Sequence, residues 1–462
     1  MSMLPEAFIN RMKEMLGDEF EAFLKTYEEN PRQALRLNDL KIGKNGESIA
    51  CVYEKHPEAV PFSLSPVEWA ANGYYYEAED QPGKHPFHEA GLYYIQEPSA
   101  MAPAGQLGVE PGDKVLDLCA APGGKSTQLA ALLKGQGLLV SNEIHPARAK
   151  ILSENIERMG VKNVCVTNES ADRLVQAFPV FFDKILVDAP CSGEGMFRKN
   201  PEAIDEWSPE NVTLCANRQQ EILDHAAGML KPGGRMVYST CTFSKEENED
   251  GIKAFLERHP EFHLIRQERL LPHRIEGEGH FMAVLSKEGS LEGSDTERSG
   301  KSSGSAADQK GALRDAILLW EEFAKETLKK EVLDEFMANV SGKGGRYLAF
   351  GENLYLTCAS LPNLKGLKVL RPGLQLGSVK KGRFEPSHAL ALALNPGQVV
   401  NVCDIPLEDA RSRAFINGET FASEGEKGWH LVCIAGYSIG WGKLAGGIMK
   451  NHYPKGLRRP AG

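Results

Sequence analysis

The sequence of 462 residues contains no long hydrophobic run, and none of its apolar stretches approaches the roughly 18 residues of a membrane span. Residues 1–16 alternate charged and apolar side chains at helical spacing and lack the apolar core of a secretory signal. These absences predict a cytoplasmic protein with no membrane partner.

The sequence also lacks any paired-cysteine motif. Its nine cysteines are odd in number and scattered, and no two form a CxxC pair. A disulfide framework or a zinc site requires regular cysteine spacing, so we expect reduced thiols and no metal.

An overall basic charge is missing as well. The chain has 53 Lys and Arg against 63 Asp and Glu, a formal net charge of −10, so its composition does not indicate a nucleic-acid-binding protein. The local distribution differs, because residues 441–462 carry five Lys or Arg and no acid. Tyr437, Trp441 and Tyr453 alternate with these basic residues, a pattern that predicts phosphate contacts and stacking on unpaired bases.

The length suggests about three domains, and the sequence changes character along the chain. An amphipathic helical pattern opens residues 1–92, short strand-like and longer helical runs alternate over 93–286, and residues 311–462 begin with a helix over 312–340. Between these regions, residues 287–310 contain ten Gly or Ser in 24 positions, which predicts a flexible linker.

The alternation over 93–286 predicts an α/β domain, with a mainly parallel sheet covered by helices on both faces. The predicted strands are 114–118, 137–142, 163–167, 183–188 and 235–240, and the predicted helices are 125–134, 146–159 and 210–230.

A glycine-rich loop follows the first of these strands, with Gly123 and Gly124 where a helix begins. Exposed backbone N–H groups at such a turn suit the polar groups of a ligand. A phosphate-binding P-loop would need glycine at Cys119, and the dinucleotide fingerprint GxGxxG is absent. The first loop of an S-adenosylmethionine methyltransferase fits better, with Glu143, 19 residues after Gly124, as acceptor for the ribose hydroxyls.

Two further strands end near a cysteine, one in Asp188-Ala-Pro-Cys191 and the other in Ser239-Thr240-Cys241. The carboxyl ends of parallel strands share one edge, so both thiols should face the ligand crevice. A lone cysteine is more often a small buried side chain than a nucleophile. Here the neighbouring acid and glycines favour a thiolate that adds to an electron-poor carbon while the acid protonates a ring nitrogen.

The segments LDLCAAPGGKS, LVDAPCSGEGMFRKNP and STCTFSKEENE together resemble the Sun-type (NOL/NOP/Sun) family of RNA cytosine-5 methyltransferases, and most of all its bacterial RsmF-like branch. The stretches RQALRLNDLK (32–41) and GYSIGWGKLAGGIMKNHYPKGLR also resemble the family's RNA-binding ends. The resemblance implies a Rossmann-like class I methyltransferase sheet with a small N-terminal RNA-binding domain and a C-terminal PUA-like α+β region. The implied domains are 1–92, RNA-binding; 93–286, methyltransferase; 311–388, pre-PUA-like; and 389–462, PUA-like.

The family implies a covalent mechanism. Cys241 would attack carbon 6 of the target cytosine, Asp188 would hydrogen-bond or protonate ring nitrogen 3, and Cys191 would assist release of the product. DNA cytosine methyltransferases use the Pro-Cys thiol as nucleophile, so the presence of both cysteines favours RNA. The implied substrate is small-subunit ribosomal RNA, free or in the subunit, for a monomer that does not act on DNA. A transfer-RNA methyltransferase and a non-catalytic RNA-binding assembly factor are the alternatives.

The implied S-adenosylmethionine contacts include one departure from the family. Where relatives place an acid at the adenine amine, this chain has Ser170, for which Asn168 or Asp172 could substitute. The complete implied set is Cys119, Ala120, Ala121, Pro122, Gly123, Gly124, Lys125, Glu143, Arg148, Ser170 and Asp188.

Overall fold

A computed structural model describes residues 4–291, 307–341 and 345–458. Most of the predicted linker, residues 292–306, lies outside the described residues. None of the helices in the described ranges is long and apolar enough to cross a membrane.

The N-terminal region forms an antiparallel sheet of four strands in the order β2-β3-β1-β4. Its elements are α1 (Glu6–Leu16), α2 (Phe20–Lys25), β1 (Gln33–Leu37), α3 (Ile49–Lys55), β2 (Ser65–Pro66), β3 (Gly73–Tyr76), α4 (Pro86–Glu89) and β4 (Tyr93–Ile95).

Helices α1 and α2 carry the opening amphipathic pattern, and Gly17, at φ +53°, separates them. Their aromatic residues pack on the central region: the ring of Phe8 lies 5.0 Å from that of Phe197, and the ring of Phe23 lies 5.5 Å from that of Phe243. The helices therefore bury their apolar face against the segments that follow the two strand-end cysteine motifs.

The central region is the predicted α/β domain. Its strands lie in the order β10-β11-β9-β8-β5-β6-β7, with β5 to β9 parallel and β10 and β11 antiparallel. The elements are α5 (Ala102–Gln106), β5 (Lys114–Asp117), α6 (Gly124–Leu133), β6 (Leu138–Asn142), α7 (Pro146–Arg158), β7 (Val164–Thr167), α8 (Ala171–Ala177), β8 (Phe182–Asp188), α9 (Pro201–Glu206), α10 (Pro209–Met229), β9 (Leu230–Thr240), α11 (Glu249–Arg258), β10 (Phe262–Leu270) and β11 (His280–Lys287).

Local chemistry explains these elements. All five residues of β6 are buried, because helices cover both faces of the sheet. Helix α10 begins at Pro209, and the Ser208 hydroxyl caps it by accepting a hydrogen bond from the Asn211 N–H at 3.1 Å. All five predicted strands and all three predicted helices of the central region are present in the structure.

The C-terminal region mixes helices and strands, as expected for an α+β region. Its two sheets have the orders β12-β13-β15-β16 and β17-β19-β20-β21-β18. The elements are α12 (Ala307–Thr327), α13 (Lys330–Ser341), β12 (Gly345–Phe350), β13 (Asn353–Cys358), β14 (Val369–Arg371), β15 (Leu374–Lys380), β16 (Arg383–Pro386), α14 (His388–Ala393), β17 (Val402–Ile405), α15 (Ala410–Asn417), β18 (Phe421–Ala422), β19 (Gly428–Ile434), β20 (Tyr437–Ala445) and β21 (Ile448–Asn451).

Two features of this region differ from the sequence pattern. The single helix predicted over 312–340 is broken between α12 and α13, because Lys329 N–H bonds to the Gln398 carbonyl at 3.0 Å instead of continuing the helix. Strand β14 leaves the C-terminal sheets and pairs antiparallel with β7, which makes it the eighth strand of the central sheet.

The three aromatic residues predicted to stack on bases are buried, and that expectation was wrong. Tyr437, Trp441 and Tyr453 are 7%, 1% and 1% exposed. Trp441 donates to the Ser387 carbonyl at 3.0 Å, and the Tyr453 hydroxyl lies 2.9 Å from the Glu89 carboxylate of the N-terminal region. All three aromatic side chains pack in the interior, whereas Lys443 and Lys450 are exposed.

Candidate active site

The glycine-rich loop lies at the carboxyl end of β5, as predicted. Gly123 has φ +116° and α6 starts at Gly124. A Cβ at Gly123 would lie 3.2 Å from the Leu152 side chain, and one at Gly124 would lie 3.1 Å from the Tyr94 ring. A side chain at either position would crowd these neighbours, and the positive φ of Gly123 also favours glycine.

Three side chains hold the carbonyl groups of this loop. Arg148 donates to Ala121 O at 2.8 Å, Asn155 to Pro122 O at 2.9 Å, and Arg36 to Gly124 O at 3.1 Å. The loop therefore has a defined shape, with Ala120 and Lys125 also buried within it.

Arg36 comes from the 32–41 stretch that resembles an RNA-binding segment, yet it is only 2% exposed. Besides Gly124 O, its guanidinium reaches Thr127 Oγ1 at 2.8 Å and Gln96 Oε1 at 3.3 Å. Arg36 thus supports the first turn of α6 and does not face RNA. The sequence carried no signal for this role.

Glu143 follows β6, at the neighbouring strand end. It is 3% exposed, and its Oε1 accepts the His145 N–H at 2.9 Å. Arg148 lies 3.6 Å from its other oxygen, so one guanidinium contacts both the acid and the glycine-rich loop. Two hydroxyls of a ribose are suitable donors for this carboxylate.

The three candidates for the adenine contact have different surroundings. Ser170 lies at the start of α8, and Asp172 is exposed, with a pKa lowered first by its hydrogen bond to Ser170. Asn168 is 8% exposed and donates to Glu143 O at 2.7 Å and Ile144 O at 2.8 Å. Of the three, Asn168 is the one bonded to the loop of the ribose acid.

Asp188 ends β8, next to β5 in the sheet. Its carboxylate accepts from Lys125 Nζ at 2.8 Å and from Ser239 Oγ at 2.7 Å, with His280 Nε2 at 3.4 Å. Burial alone would raise the pKa of Asp188, but the Lys125 charge and the His280 contact outweigh it and hold that pKa below its usual range. Asp188 is therefore ionised.

Ser239 and His280 are site residues that sequence reasoning missed. Ser239 was detectable, because it pairs with Asp188 in the parallel register of β8 and β9. His280 lies on the antiparallel strand β11, which the sequence pattern did not indicate.

The two predicted cysteines meet at the end of β9. Cys191 Sγ lies 3.2 Å from Cys241 Sγ, and both are free thiols of intermediate exposure. The hydrogen bond with Cys241, followed by burial, raises the pKa of Cys191 well above its usual value. Both effects disfavour the thiolate form of Cys191.

Buried acids support both cysteine turns. Glu247 accepts the Ser192 N–H at 3.0 Å and Gln219 Nε2 at 2.7 Å, and burial raises its pKa to about 7. Glu194, 1% exposed, accepts from Trp207 and from the Phe243 N–H. These contacts tie the segment after Cys191 to the segment after Cys241.

Arg198 and Lys199, which follow the Pro-Cys motif, differ in exposure. Arg198 is largely buried, with its Nε 3.5 Å from Glu278 Oε2, whereas Lys199 is exposed. Of the two, Lys199 is the residue available to a phosphate.

A parallel sheet with a glycine-rich loop after β5 and an acid after β6 defines a Rossmann-like methyltransferase. The match to known families is more specific. The model described as 16S rRNA methyltransferase RsmB/F matches residues 104–286, and the N-terminal domain of 16S rRNA methyltransferase RsmF matches 4–98. The RsmF rRNA methyltransferase first C-terminal domain matches 322–394, and the methyltransferase RsmF PUA domain matches 403–459.

Relatives match the chain from end to end. The ribosomal RNA small subunit methyltransferase F of Vibrio vulnificus (strain YJ016) is 32% identical over 486 residues, covering 99% of this chain and 98% of the relative. The protein of that name from Serratia proteamaculans (strain 568) is 41% identical over 260 residues, which is 55% of this chain and 53% of the relative. The chain therefore belongs to the RsmF branch of the RsmB/F methyltransferase family, and the predicted resemblance is confirmed.

Solved structures agree with this fold. The methyltransferase homolog protein from Pyrococcus horikoshii is 29% identical with a TM-score of 0.54, covering 61% of this chain and 95% of that chain.

Proposed function

We propose that this protein is an RNA cytosine-5 methyltransferase that uses S-adenosylmethionine and modifies small-subunit ribosomal RNA through a covalent cysteine–cytosine intermediate. One observation carries the proposal: the Cys191–Cys241 pair and the Lys125–Asp188 pair lie side by side at the ends of adjacent strands, next to the glycine-rich loop.

The residues around the loop fit S-adenosylmethionine. The loop Cys119–Lys125 joins the carboxyl end of β5 to the start of α6, where backbone N–H groups suit the polar groups of a ligand, and the Glu143 carboxylate suits the ribose hydroxyls. When bound, the cofactor supplies an electrophilic methyl group for carbon 5 of the base. Arg148 holds both the loop and the acid, and Asn168 carries the contacts that favour it over Ser170 and Asp172 on the adenine side.

Cys241 is the nucleophile in this proposal. Cytosine carbon 5 is a poor nucleophile until addition at carbon 6 breaks the conjugation of the ring, and a thiolate can make that addition. The Cys191 sulfur lies 3.2 Å from the Cys241 sulfur, so a protonated Cys191 can donate to a thiolate on Cys241 and stabilise it. The raised pKa of Cys191 supports this assignment of the two roles.

Lys125 and Asp188 act on ring nitrogen 3 of the cytosine as a proton-donating pair. Addition at carbon 6 moves an electron pair towards that nitrogen, which then takes a proton. The ionised Asp188 has no proton to give, but the Lys125 ammonium donates to it at 2.8 Å. The Lys125–Asp188 pair therefore supplies the proton that nitrogen 3 takes, and Lys125 is the member of the pair that carries it at rest.

Release reverses the addition. The proton on carbon 5 leaves to solvent, its electron pair forms the double bond between carbons 5 and 6, and the bond from carbon 6 to Cys241 Sγ breaks. Cys191 stabilises the departing thiolate with its hydrogen bond, and the proton on nitrogen 3 returns to the Asp188–Lys125 pair.

The substrate class follows from the relatives and the domains. Relatives that match the whole chain are named ribosomal RNA small subunit methyltransferase F, and the C-terminal match is to a PUA domain. The exposed Lys443 and Lys450 of that domain suit phosphate contacts. A cytoplasmic monomer without DNA activity remains our prediction.

The test is transfer of tritiated methyl groups from S-adenosylmethionine to small-subunit ribosomal RNA and to assembled subunits. Wild type and Cys51→Ala, which removes an exposed thiol far from the site, should both produce 5-methylcytosine. Cys241→Ala should bind the cofactor and transfer nothing. If Cys241→Ala transferred as much methyl as wild type, Cys241 would be excluded as the nucleophile. If the wild type methylated only transfer RNA, transfer RNA would replace ribosomal RNA as the proposed substrate.

A further inference from the structure

A short piece of the C-terminal region is built into the cofactor side of the central sheet. In β14, Val369 pairs with Thr167 and Arg371 with Val166, so β14 extends the sheet beyond β7. This position is next to the loop that follows β7, where the adenine contact is expected.

The chain just before β14 is bonded to that loop in both directions. Asn168 N–H donates to Lys368 O at 2.8 Å, and Lys368 N–H donates to Glu169 Oε1 at 2.6 Å. Glu169 is 4% exposed, and its other oxygen accepts Arg173 Nε at 2.7 Å. Arg173 also donates to Gly366 O, so the loop and the segment hold each other at three points.

The same loop holds the ribose acid. The Asn168 amide donates to Glu143 O and Ile144 O at 2.7 and 2.8 Å, and Glu143 N–H donates to Thr167 O at 3.1 Å. A continuous chain of hydrogen bonds therefore runs from Lys368 through Asn168 to Glu143.

A second link leads to helix α7. Arg371 is 7% exposed, donates to Ser153 Oγ at 3.3 Å and pairs with Glu157. Helix α7 also carries Arg148 and Asn155, which hold the glycine-rich loop. Strand β14 thus braces both sides of the proposed cofactor site.

We infer that residues Gly366–Arg371 are a positioning element of the cofactor site, and that the C-terminal region supports cofactor binding as well as RNA binding. The inference rests on the proposed function, because it takes the Glu143 and Asn168 loops as the cofactor site. Coupling between two sites is reciprocal, so cofactor binding also stabilises the 366–371 segment.

The test uses Lys368 in the full-length protein, because both of its contacts are made by the backbone. Lys368→Pro removes the N–H that Glu169 accepts, and Lys368→Ala is the matched control that keeps it. Calorimetry should show that Lys368→Pro binds S-adenosylhomocysteine about tenfold more weakly than wild type, because one charge-assisted hydrogen bond is lost. Lys368→Ala should bind within about twofold of wild type.

Glu169→Gln tests the same contact without altering the backbone of the segment. A glutamine places an NH2 group where one of the two carboxylate oxygens stands, so it loses the acceptor for either Lys368 or Arg173. The affinity of this variant for S-adenosylhomocysteine should therefore fall in the same direction. In the wild type, saturating S-adenosylhomocysteine should slow hydrogen exchange of the 366–371 amides.

Two results would overturn the inference: wild-type affinity in both Lys368→Pro and Glu169→Gln, or unchanged exchange at 366–371 when the site is saturated. Failure of the proposed function looks different, because the wild type itself would then bind no cofactor or transfer no methyl group.

Discussion

The sulfur of Cys191 lies 3.2 Å from the sulfur of Cys241, although the two residues are 50 positions apart in the chain. Adjacent parallel strands, β8 and β9, bring them together, and each thiol sits just beyond the end of its strand. The hydrogen bond with Cys241 and burial raise the pKa of Cys191, which fits the proposed roles of Cys191 as hydrogen-bond donor and Cys241 as nucleophile.

Replacing Cys191 should separate addition from release. In Cys191→Ala the Cys241 thiolate can still add to the base, but its departure loses the hydrogen bond from Cys191. We expect an RNA–protein adduct that survives denaturing electrophoresis, seen as a shifted, radiolabelled band. Cys403→Ala, in the C-terminal region, should give no such band. A clean gel from Cys191→Ala with active cofactor and correct RNA would remove Cys191 from release.

Replacing Lys125 should slow the chemistry. Lys125→Met leaves Asp188 without the proton source at its Oδ2 and without its counter-charge. General acid assistance contributes about 10² to 10⁴ in rate, and we expect a loss in that range in single-turnover methyl transfer. Lys150→Met, an exposed lysine on α7, is the control. A Lys125→Met rate within about threefold of wild type would contradict the proton path, since that path predicts a far larger loss.

Replacing Arg32 and replacing Arg36, the two arginines of the 32–41 stretch, should have different effects on stability and cofactor binding. Arg36→Ala removes three hydrogen bonds, two of them to the first turn of α6 and one to Gln96, and we expect it to lower the free energy of unfolding by about 3 kcal/mol. It should also weaken cofactor binding. Arg32→Ala removes a half-exposed contact with Glu276 at 3.0 Å, worth at most about 1 kcal/mol.

Chemical denaturation and calorimetry on both variants check this difference. If Arg36→Ala were as stable as Arg32→Ala but bound RNA more weakly, Arg36 would be an RNA contact after all.

Asp117 should make stability depend on pH. Burial raises its pKa from 3.8 to about 7 in the folded protein. The folded state therefore binds more protons than the unfolded state between about pH 4 and pH 7, and the free energy of unfolding falls as pH rises, by up to about 1.4 kcal/mol per pH unit.

Asp117→Asn removes this titration. Urea denaturation at pH 5 and pH 8 should show that the variant loses less stability than wild type between the two values. Ser126 donates to Asp117 at 2.7 Å, and the asparagine oxygen can still accept that bond. Equal losses in the two proteins would show that Asp117 is ionised in the fold at both pH values.

The candidate active site was predictable because its signals are local. Gly123 and Gly124 at a strand end, Glu143 on the next strand and two cysteines after later strands follow from short motifs and from the rule that parallel strands end at one edge. Strand and helix periodicity identified the elements that carry them.

Contacts from distant segments were not predictable. The basic and aromatic residues that suggested a stacking surface differ in exposure, because the aromatic residues are buried, as Trp441 shows at 1% exposure. The 32–41 stretch resembles an RNA-binding segment, yet its Arg36 is buried and donates to Gly124 O of the glycine-rich loop.

The sequence by itself determined the chemistry: two thiols, an acid and a glycine-rich loop at the ends of parallel strands, since strand polarity places them on one edge. Only the tertiary structure decided the 3.2 Å contact between the Cys191 and Cys241 sulfurs, the charge of Asp188 beside Lys125, and the pairing of β14 with β7 beside the proposed cofactor loops. Those properties depend on burial and on distances between segments far apart in the chain, which periodicity and motif spacing do not specify.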